Sequence, residues 1–348
     1  MERDFITRDE MLSIPSLEIS DPIRLVSEPL VSVVVITYNH EAFIEENIRG
    51  VLDQKCDFPI ELIIGEDKSK DRTLDICLEY QRKYPEMIRI ITWRENIGGN
   101  ANFFRVLGRS RGKYIATCEG DDYWTDPAKL SKQVALMERS PHASLCGART
   151  REIVEMPTGK AVDTVIGPDK LKMEYSLTDA LRTYLFHTSS FMFRSSLLFL
   201  PHCMRSLDWY DWFVQCISAR NGPVVYLPEI MSVYRRHAGG WYGGSSQDVY
   251  FDKYEAVCKA LVETLDESHS SLARHIWDVV QSERCHYLLN AGRTSEARVL
   301  SRGLMSRLAT HQFWRAMLLL SHLLFPVSYA ILRDLSKKSR VREVLLSR

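Results

Sequence analysis

Between residues 30 and 122, short apolar segments alternate with amphipathic ones, and this alternation is the feature that most constrains the fold. The apolar segments are rich in β-branched residues and too short to cross a membrane, so each predicts a strand buried on both faces. In chain order they read LVSVVVIT, IELIIGED, MIRIITW and KYIATCEGDD. Helical periodicity fills the intervals. Strands alternating with helices predict an α/β fold with a mainly parallel central sheet flanked by helices.

The same pattern divides the chain into three parts. Residues 1–29 are polar and contain three prolines, which predicts an N-terminal extension, with the first packed element beginning at Leu30. Residues 30–245 hold the predicted strands and their helices. Residues 246–348 show helical periodicity without a strand pattern, which predicts a helical C-terminal extension. The Gly-rich stretch HAGGWYGGSS marks the boundary between the last two parts.

Acidic and basic residues balance in this chain. Lys plus Arg and Asp plus Glu each number 45, so no charge excess favours nucleic acid as a partner. The eight cysteines form no CxxC pair, and no secretory leader pattern opens the sequence. These features favour a reduced, cytoplasmic protein without structural zinc. Any electrostatic function must therefore come from local clusters of charge.

Polar residues follow each of the four strands predicted between residues 30 and 122. These loops are residues 37–40, 66–70, 94–99 and 119–122. Ligands of open parallel sheets bind beyond the carboxyl ends of the strands, so we expect the four loops to line one crevice. The last loop carries three acids within four positions, Glu119, Asp121 and Asp122.

The Asp121-Asp122 pair has three interpretations. The acids can cap the next helix, they can be solvated, or they can hold a hard divalent cation that bridges carboxylates to substrate phosphates. Asp67 after the second strand, with Arg94 and Asn96 after the third, adds a carboxylate, a cation and an amide to the same crevice. Together these groups favour a nucleotide-diphosphate site with a metal ion.

Four segments, in their order and spacing, resemble the family-2 glycosyltransferases with the GT-A fold. They read VSVVVITYNHEAFIEENIRGVL, IELIIGEDKSKDRT, RENIGGNANF and GKYIATCEGDDYWTDPAKL. The resemblance extends over residues 30–240 and implies transfer of a sugar from a nucleotide-diphosphate sugar. A GxGxxG fingerprint is absent from the sequence, which argues against an ordinary dinucleotide-binding dehydrogenase.

The predicted crevice and the resemblance together provide candidate site residues. Those predicted to bind the nucleotide sugar are Thr37, Tyr38, Asn39, Asp67, Arg94, Asn96, Asp121, His187 and Arg236. Those predicted to hold the metal ion, Mn²⁺ or Mg²⁺, are Asp122, Asp121 and His237. Tyr38 can also be a packing residue and Asn39 a turn residue, and Glu119 stands where many relatives carry an Asp. Arg105 and Lys113 are predicted to be surface charges.

The resemblance implies inversion at the sugar, which needs a base that takes the proton of the acceptor hydroxyl and is distinct from the metal-binding acids. The segment SLDWYDWFVQ offers Asp208 and Asp211. The match to the family favours Asp208, which precedes Trp209, whereas Asp211 is also explained as a first-turn helix acid. The segment VYRRHAGG resembles the family's Tyr-Arg-x-His segment, and its glycines with Trp241 predict a lid over the donor, with a flexible linker as the alternative.

The uncharged stretch 316–332 and the basic residues after it have two interpretations. They predict either a helix on the anionic inner leaflet of a membrane or a buried helical hairpin. Membrane contact would make a lipid-linked saccharide the natural acceptor and would place the protein peripherally on the cytoplasmic face. A homo-oligomer is also compatible with the sequence.

The expected function is a metal-dependent inverting glycosyltransferase of cell-surface polysaccharide or glycoconjugate assembly. Its donor would be a UDP-, dTDP- or GDP-sugar, and its acceptor a saccharide or lipid-linked saccharide. A nucleotidyltransferase acting on sugar phosphates is the first alternative, but ITYNHEAF lacks the Gly-rich phosphate loop that it would need. The second is a catalytically inactive, nucleotide-sugar-binding scaffold subunit, against which the metal acids and the candidate base argue.

Overall fold

The computed structural model describes residues 5–154, 162–168, 172–208, 211–237, 239–240 and 246–311. The chain divides into two compact units, residues 1–246 and residues 247–348.

A mixed β-sheet runs through the first unit. Among the described residues its strands are β1 (Leu17–Ile19), β2 (Val31–Thr37), β3 (Ile60–Glu66), β4 (Ile88–Thr92), β5 (Tyr114–Thr117), β6 (Tyr123–Trp124), β7 (Leu145–Val154), β8 (Val162–Ile166), β9 (Glu174–Tyr175), β10 (Met192–Arg194) and β11 (Val224–Arg236). The strand order is β1-β4-β3-β2-β5-β10-β7-β11-β6, while β8 pairs with β7 and β9 with β11.

Helices connect these strands. In the described part of the first unit they are α1 (Arg8–Leu12), α2 (Ile44–Leu52), α3 (Thr73–Lys83), α4 (Gly99–Leu107), α5 (Lys129–Arg139), α6 (Leu177–Arg182) and α7 (Asp211–Asn221). Three short 3₁₀ turns, Thr188–Ser190, Ser195–Leu197 and His202–Ser206, lie between α6 and α7.

The predicted parallel core is confirmed. Strands β4, β3, β2 and β5 are adjacent, and each neighbouring pair among them runs parallel. Every residue of β3 is buried. Its Leu62 and Ile64 pack in the hydrophobic core together with Val33 of β2 and Ile90 of β4. A strand with helices on both faces has no solvated side, which explains the continuous apolar runs in the sequence.

The prediction that packing begins at Leu30 was wrong, because α1 and β1 precede it. β1 pairs antiparallel with β4 at the edge of the sheet. Within β1, the carboxylate of Glu18 accepts hydrogen bonds from Nε and Nη2 of Arg89 at 2.8 and 3.0 Å. Nε of Arg8 donates to the carbonyl of Gly108 at 3.1 Å. The polar composition of this segment therefore reflects charged contacts at a sheet edge.

The described part of the second unit is helical, with α8 (Gln247–Thr264), α9 (Glu267–Asn290) and α10 (Thr294–His311). Asp266 caps α9 by accepting the backbone N–H of His269 at 3.1 Å, as an N-cap aspartate commonly does. No helix among the described residues is long and apolar enough to cross a membrane. The stretch 316–332, with its predicted membrane contact, lies outside those residues.

Candidate active site at the carboxyl ends of the strands

A cavity of about 420 Å³ opens at the carboxyl ends of β2, β3, β4 and β5, a volume typical of small-molecule sites. The predicted site residues that line it are Thr37, Tyr38, Asp67, Asn96, Asp121, Asp122, His187, Asp208, Asp211, Arg236 and His237. Its walls come from the loops after these strands, from the start of α7 and from the end of β11. The fold thus gathers residues that lie up to 200 positions apart in the sequence.

Glu119, Asp122 and His187 form a group at this cavity, in which Asp122 and His187 are buried and Glu119 is half-buried. One potential ligand atom from each residue lies within 4.8 Å of the other two. Oδ1 of Asp122 accepts the backbone N–H of Arg235 at 2.9 Å, and its Oδ2 lies 3.6 Å from Nδ1 of His187. Asn47 fixes the acidic turn by donating to the carbonyls of Glu119 and Asp122 at 2.8 and 2.9 Å.

Two carboxylate oxygens in this group, Oε2 of Glu119 and Oδ2 of Asp122, are buried without a hydrogen-bond partner among the described residues. Burial, reinforced by the charge of Asp211, raises the pKa of Glu119 to about 8. Burial and the charge of Asp121 likewise raise the pKa of Asp122 well above its usual value. Burial lowers the pKa of His187 to about 3. The donor set of two carboxylates and a neutral imidazole fits a divalent cation.

Asp121 has a different environment, although it is adjacent to Asp122 in the chain. Its Oδ2 lies 3.2 Å from Nε2 of His237 and 3.7 Å from Nε2 of His40. Burial disfavours ionisation, but the hydrogen bond with His237 and the nearby His40 outweigh it, so the pKa of Asp121 is lowered. The group that could hold a metal ion, called here the metal-compatible group, therefore consists of Glu119, Asp122 and His187. Asp121 and His237 contact each other beside it.

Asp67 ties together two loops at the cavity. Its Oδ1 accepts the backbone N–H of Ile97 at 2.9 Å, and its Oδ2 accepts that of Gly98 at 2.8 Å. Nδ2 of Asn96 donates to the backbone carbonyl of Asp67 at 2.8 Å. Burial raises the pKa of Asp67 despite the two backbone donors. A carboxylate held in this way has a fixed direction, and each oxygen retains a lone pair for a ligand.

Two of the predicted residues, Asn39 and Arg94, are described but are not part of the cavity lining. Asn39 has a φ of 56° and accepts the backbone N–H of Lys70 on its side-chain oxygen at 2.8 Å, so it joins two loops. The guanidinium of Arg94 lies over the ring of Trp93, 5.8 Å from its centroid. Tyr38, by contrast, lines the cavity with a partly exposed ring.

Both candidate bases line the cavity. Asp208 is exposed, whereas Asp211 begins α7 and lies near enough to Glu119 to raise its pKa. On the neighbouring strand β11, Nη1 of Arg236 lies 3.4 Å from a carboxylate oxygen of Glu152. Trp209 lies outside the described residues.

The predicted lid is described only in part. Gly239 and Gly240 line the cavity, while Trp241 lies outside the described residues.

Sequence reasoning missed the positioning role of Arg235 and of His40. Nη1 of Arg235 donates to the backbone carbonyl of Asp121 at 2.8 Å, and its guanidinium lies 4.2 Å from the ring centroid of Tyr123. Nδ1 of His40 lies 3.2 Å from Oγ1 of Thr37. Both residues stand in segments already assigned to the site, so their position in VYRRHAGG and TYNH was the available signal.

The prediction that Arg105 is a surface charge was wrong. Its side chain is fully buried, and its Nη2 donates to the backbone carbonyl of Glu66 at 3.0 Å and to Oδ1 of Asn102 at 2.7 Å. The carboxyl ends of two parallel strands leave carbonyl groups that need donors, which a buried arginine supplies. Lys113 is partly exposed and pairs with Glu138 at 2.6 Å, as expected of a surface charge.

The strand order and the acidic loop at the carboxyl edge define a GT-A fold. The mannosyltransferase PcManGT of Pyrobaculum calidifontis, solved with GDP-Man and Mn²⁺, matches 98% of this chain and 89% of its own at 16% identity, with a TM-score of 0.53. Residues 32–199 match the family model of glycosyl transferase family 2. The resemblance seen in the sequence is thereby confirmed.

Two relatives illustrate the breadth of the match. An uncharacterised protein of Mycobacterium tuberculosis is 40% identical over 214 residues, which are 61% of this chain and 60% of that protein. The dTDP-rhamnosyl transferase RfbG of Shigella flexneri is 25% identical over 218 residues, covering 60% of this chain and 73% of its own. This chain thus spans about 60% of the length of the mycobacterial relative.

Proposed function

We propose that this protein is a metal-dependent, inverting glycosyltransferase that moves a sugar from a nucleotide-diphosphate sugar to a hydroxyl acceptor. The observation that carries the proposal is the group of Glu119, Asp122 and His187, which has two buried, unpartnered carboxylate oxygens among the described residues, at a cavity also lined by Asp67 and Asp208. The match to the family model and the RfbG relative support sugar transfer.

Asp122, Glu119 and His187 would hold Mn²⁺ or Mg²⁺. A divalent cation at this position supplies charge neutralisation for the diphosphate leaving group. The ring of His187 stacks on Tyr234, with 4.0 Å between ring centroids. Its Nδ1 accepts the backbone N–H of Ser189 at 3.3 Å and would exchange this hydrogen bond for the cation. Of the metal ligands predicted from the sequence, Asp122 keeps that role in the proposal. Asp121 and His237, which form a hydrogen-bonded pair, would instead contact the ribose or the phosphates.

The donor nucleoside would lie against Asp67, Thr37 and Tyr38. Two backbone N–H groups hold the carboxylate of Asp67, which would accept an N–H of the nucleobase. Arg236, which also lines the cavity, would supply a cation for the phosphates. GDP-Man bound by PcManGT, together with the donor named for RfbG, supports a nucleotide sugar as the ligand class.

Asp208 would act as the base. An exposed carboxylate at the rim of the cavity can accept the proton of an acceptor hydroxyl as its oxygen attacks the anomeric carbon from the face opposite the leaving diphosphate. Asp211 is less suited, because it lies close enough to Glu119 for its charge to raise the pKa of that residue, which belongs to the proposed metal site.

We infer a saccharide or lipid-linked saccharide acceptor and a cytoplasmic site of action in cell-surface polysaccharide assembly.

Binding of nucleotide sugars tests the donor half of the proposal. Calorimetry with UDP-, GDP- and dTDP-sugars, without metal and with Mn²⁺ or Mg²⁺, should show affinity for at least one donor that requires the metal. Asp122→Asn should abolish the metal dependence, whereas Asp57→Asn, which changes an exposed acid outside the cavity lining, should not. Absence of affinity for every donor with either Mn²⁺ or Mg²⁺ would refute the proposal.

Turnover of the bound donor tests the base. Asp208→Asn should lower sugar transfer, or slow hydrolysis of the donor, by at least about 100-fold while nucleotide affinity is retained. Asp211→Asn serves as the matched variant. Full activity in Asp208→Asn with loss in Asp211→Asn would transfer the role of base to Asp211.

A further inference from the structure

The side chain of Asn100 bridges two distant parts of the cavity wall. It lies in the first turn of α4 and lines the cavity. Its Nδ2 donates to the backbone carbonyls of Met204 at 2.6 Å and Leu207 at 3.0 Å. Both partners are carbonyl oxygens, which can only accept, so the amide must present its nitrogen to them. The orientation of this amide is therefore chemically determined.

The two carbonyls belong to the segment that leads into Asp208. The carbonyl of Leu207 is part of the peptide group whose nitrogen belongs to Asp208, so holding its oxygen restrains rotation of that peptide plane. The side chains of Met204 and Leu207 are buried. Asp208 itself is exposed. Its direction into the cavity therefore depends on how firmly the preceding peptide is held.

Asn100 is also connected to Asp67, through the backbone of Gly98. Asn100 stands two residues after Gly98, whose N–H donates to Oδ2 of Asp67 at 2.8 Å and whose carbonyl accepts the N–H of Asn102 at 2.9 Å. Gly98 has a φ of 85°, and the neighbouring Gly99 also lacks a side chain. Glycines do not stiffen a backbone by themselves. The hydrogen bonds of Asp67 and Asn100 therefore hold this turn from two sides.

We propose that Asn100 is a positioning residue that holds Asp208 in the direction required for proton transfer and couples its segment to the loop bound by Asp67. The inference rests on the proposed function, because Asp208 must be the base. Asn100 acts through the peptide of Leu207 and not on the substrate. Its loss should therefore lower turnover much more than it lowers affinity for the nucleotide.

Asn221 provides a matched control. Its Nδ2 also donates to a backbone carbonyl, that of Leu197, at 3.1 Å. Like Asn100 it anchors the part of the chain between β10 and α7, but it does not line the cavity. Asn221→Ala therefore removes a comparable amide-to-carbonyl hydrogen bond without releasing the peptide before Asp208.

Hydrogen exchange and kinetics together test the proposal on the full chain. Asn100→Ala should speed amide exchange in peptides covering residues 203–208 by about 10- to 30-fold, as expected for loss of two hydrogen bonds, and Asn221→Ala should not. With UDP-glucose, GDP-mannose or dTDP-rhamnose and Mn²⁺, Asn100→Ala should lower kcat by roughly 10- to 100-fold. The Kd of the corresponding nucleotide diphosphate should change by less than about threefold, below the tenfold that 1.4 kcal/mol represents.

Asn100→Asp separates hydrogen bonding from packing. A carboxylate has nearly the same shape as the amide but cannot donate to the two carbonyls, so this variant should lose at least as much kcat as Asn100→Ala. Near wild-type kcat in Asn100→Asp, or equal kcat in Asn100→Ala and Asn221→Ala, would overturn the positioning role while leaving the proposed function intact. Wild-type protein that turns over no nucleotide sugar would overturn both.

Discussion

Replacing Glu119 by glutamine tests whether the ionised carboxylate of Glu119 destabilises the folded protein when no metal is bound. Burial and the charge of Asp211 raise the pKa of Glu119 from 4.5 to about 8. An acid whose pKa is raised on folding contributes full stability below pH 4.5 and loses that contribution as the pH rises toward 8. The metal-free wild-type protein should therefore become less stable over this range.

The magnitude follows from the difference between the two pKa values. Each pKa unit corresponds to about 1.4 kcal/mol. A pH of 7 lies 2.5 units above the pKa of 4.5 of the unfolded carboxyl, which is therefore ionised, while the folded carboxyl is still mostly protonated. The penalty at pH 7 is thus on the order of 3 kcal/mol. Glu119→Gln removes it. An unpaired buried amide can cost about 1–3 kcal/mol, but that cost is the same at every pH.

Urea unfolding in the presence of a chelator, at about pH 5 and pH 7.5, measures this effect. The free energy of unfolding of Glu119→Gln relative to wild type should increase by roughly 2–3 kcal/mol between the two pH values. Adding Mn²⁺ should stabilise the wild-type protein and have little effect on the variant. Glu138→Gln is the control, because Lys113 pairs with this acid and lowers its pKa. A relative stability of Glu119→Gln that does not change with pH would refute the reasoning.

Three further substitutions address other parts of the cavity. Gly120→Ala should destabilise the fold by about 1–3 kcal/mol, because an added Cβ would lie 2.6 Å from Oγ1 of Thr37; an unchanged urea midpoint would contradict this. Asp122→Asn should lower Mn²⁺-dependent turnover by at least roughly 100-fold, and turnover near the wild-type level would exclude Asp122 as a ligand. Asp67→Ala should weaken nucleotide binding by about tenfold or more, since it removes the acceptor for the N–H groups of Ile97 and Gly98; calorimetry showing unchanged affinity would argue against a donor site there.

The central strands could be predicted because their signal is local. A run such as that of β2, Val31–Thr37, has no polar face and is satisfied only between two layers of helices. Parallel strands joined by helices then bring their carboxyl ends to one edge. Consequently Thr37, Asp67 and Asp122 could be assigned to one crevice from the sequence, and the structure places all three at the same cavity.

The N-terminal segment shows where local patterns mislead. Strand β1, with the sequence LEI, has only three residues, which is too short for its alternation of apolar and polar residues to distinguish it from a loop. It is a strand because the edge of β4 offers unpaired backbone groups and because Arg89 pairs with Glu18. The buried Arg105 is a similar case, since its partners include the backbone carbonyl of Glu66, 39 positions away.

The sequence by itself determined the α/β sheet, the edge at which the acids gather and the resemblance to glycosyl transferase family 2. The tertiary structure decided how adjacent acids differ. Asp121 contacts His237 and has a lowered pKa, whereas Asp122 accepts the N–H of Arg235 and faces His187 with a raised pKa. Strand formation follows from the pattern of neighbours along the chain, but ionisation depends on burial and on charges brought close through space. Contacts across more than 60 positions therefore separate the roles of two residues that the sequence presents as a pair.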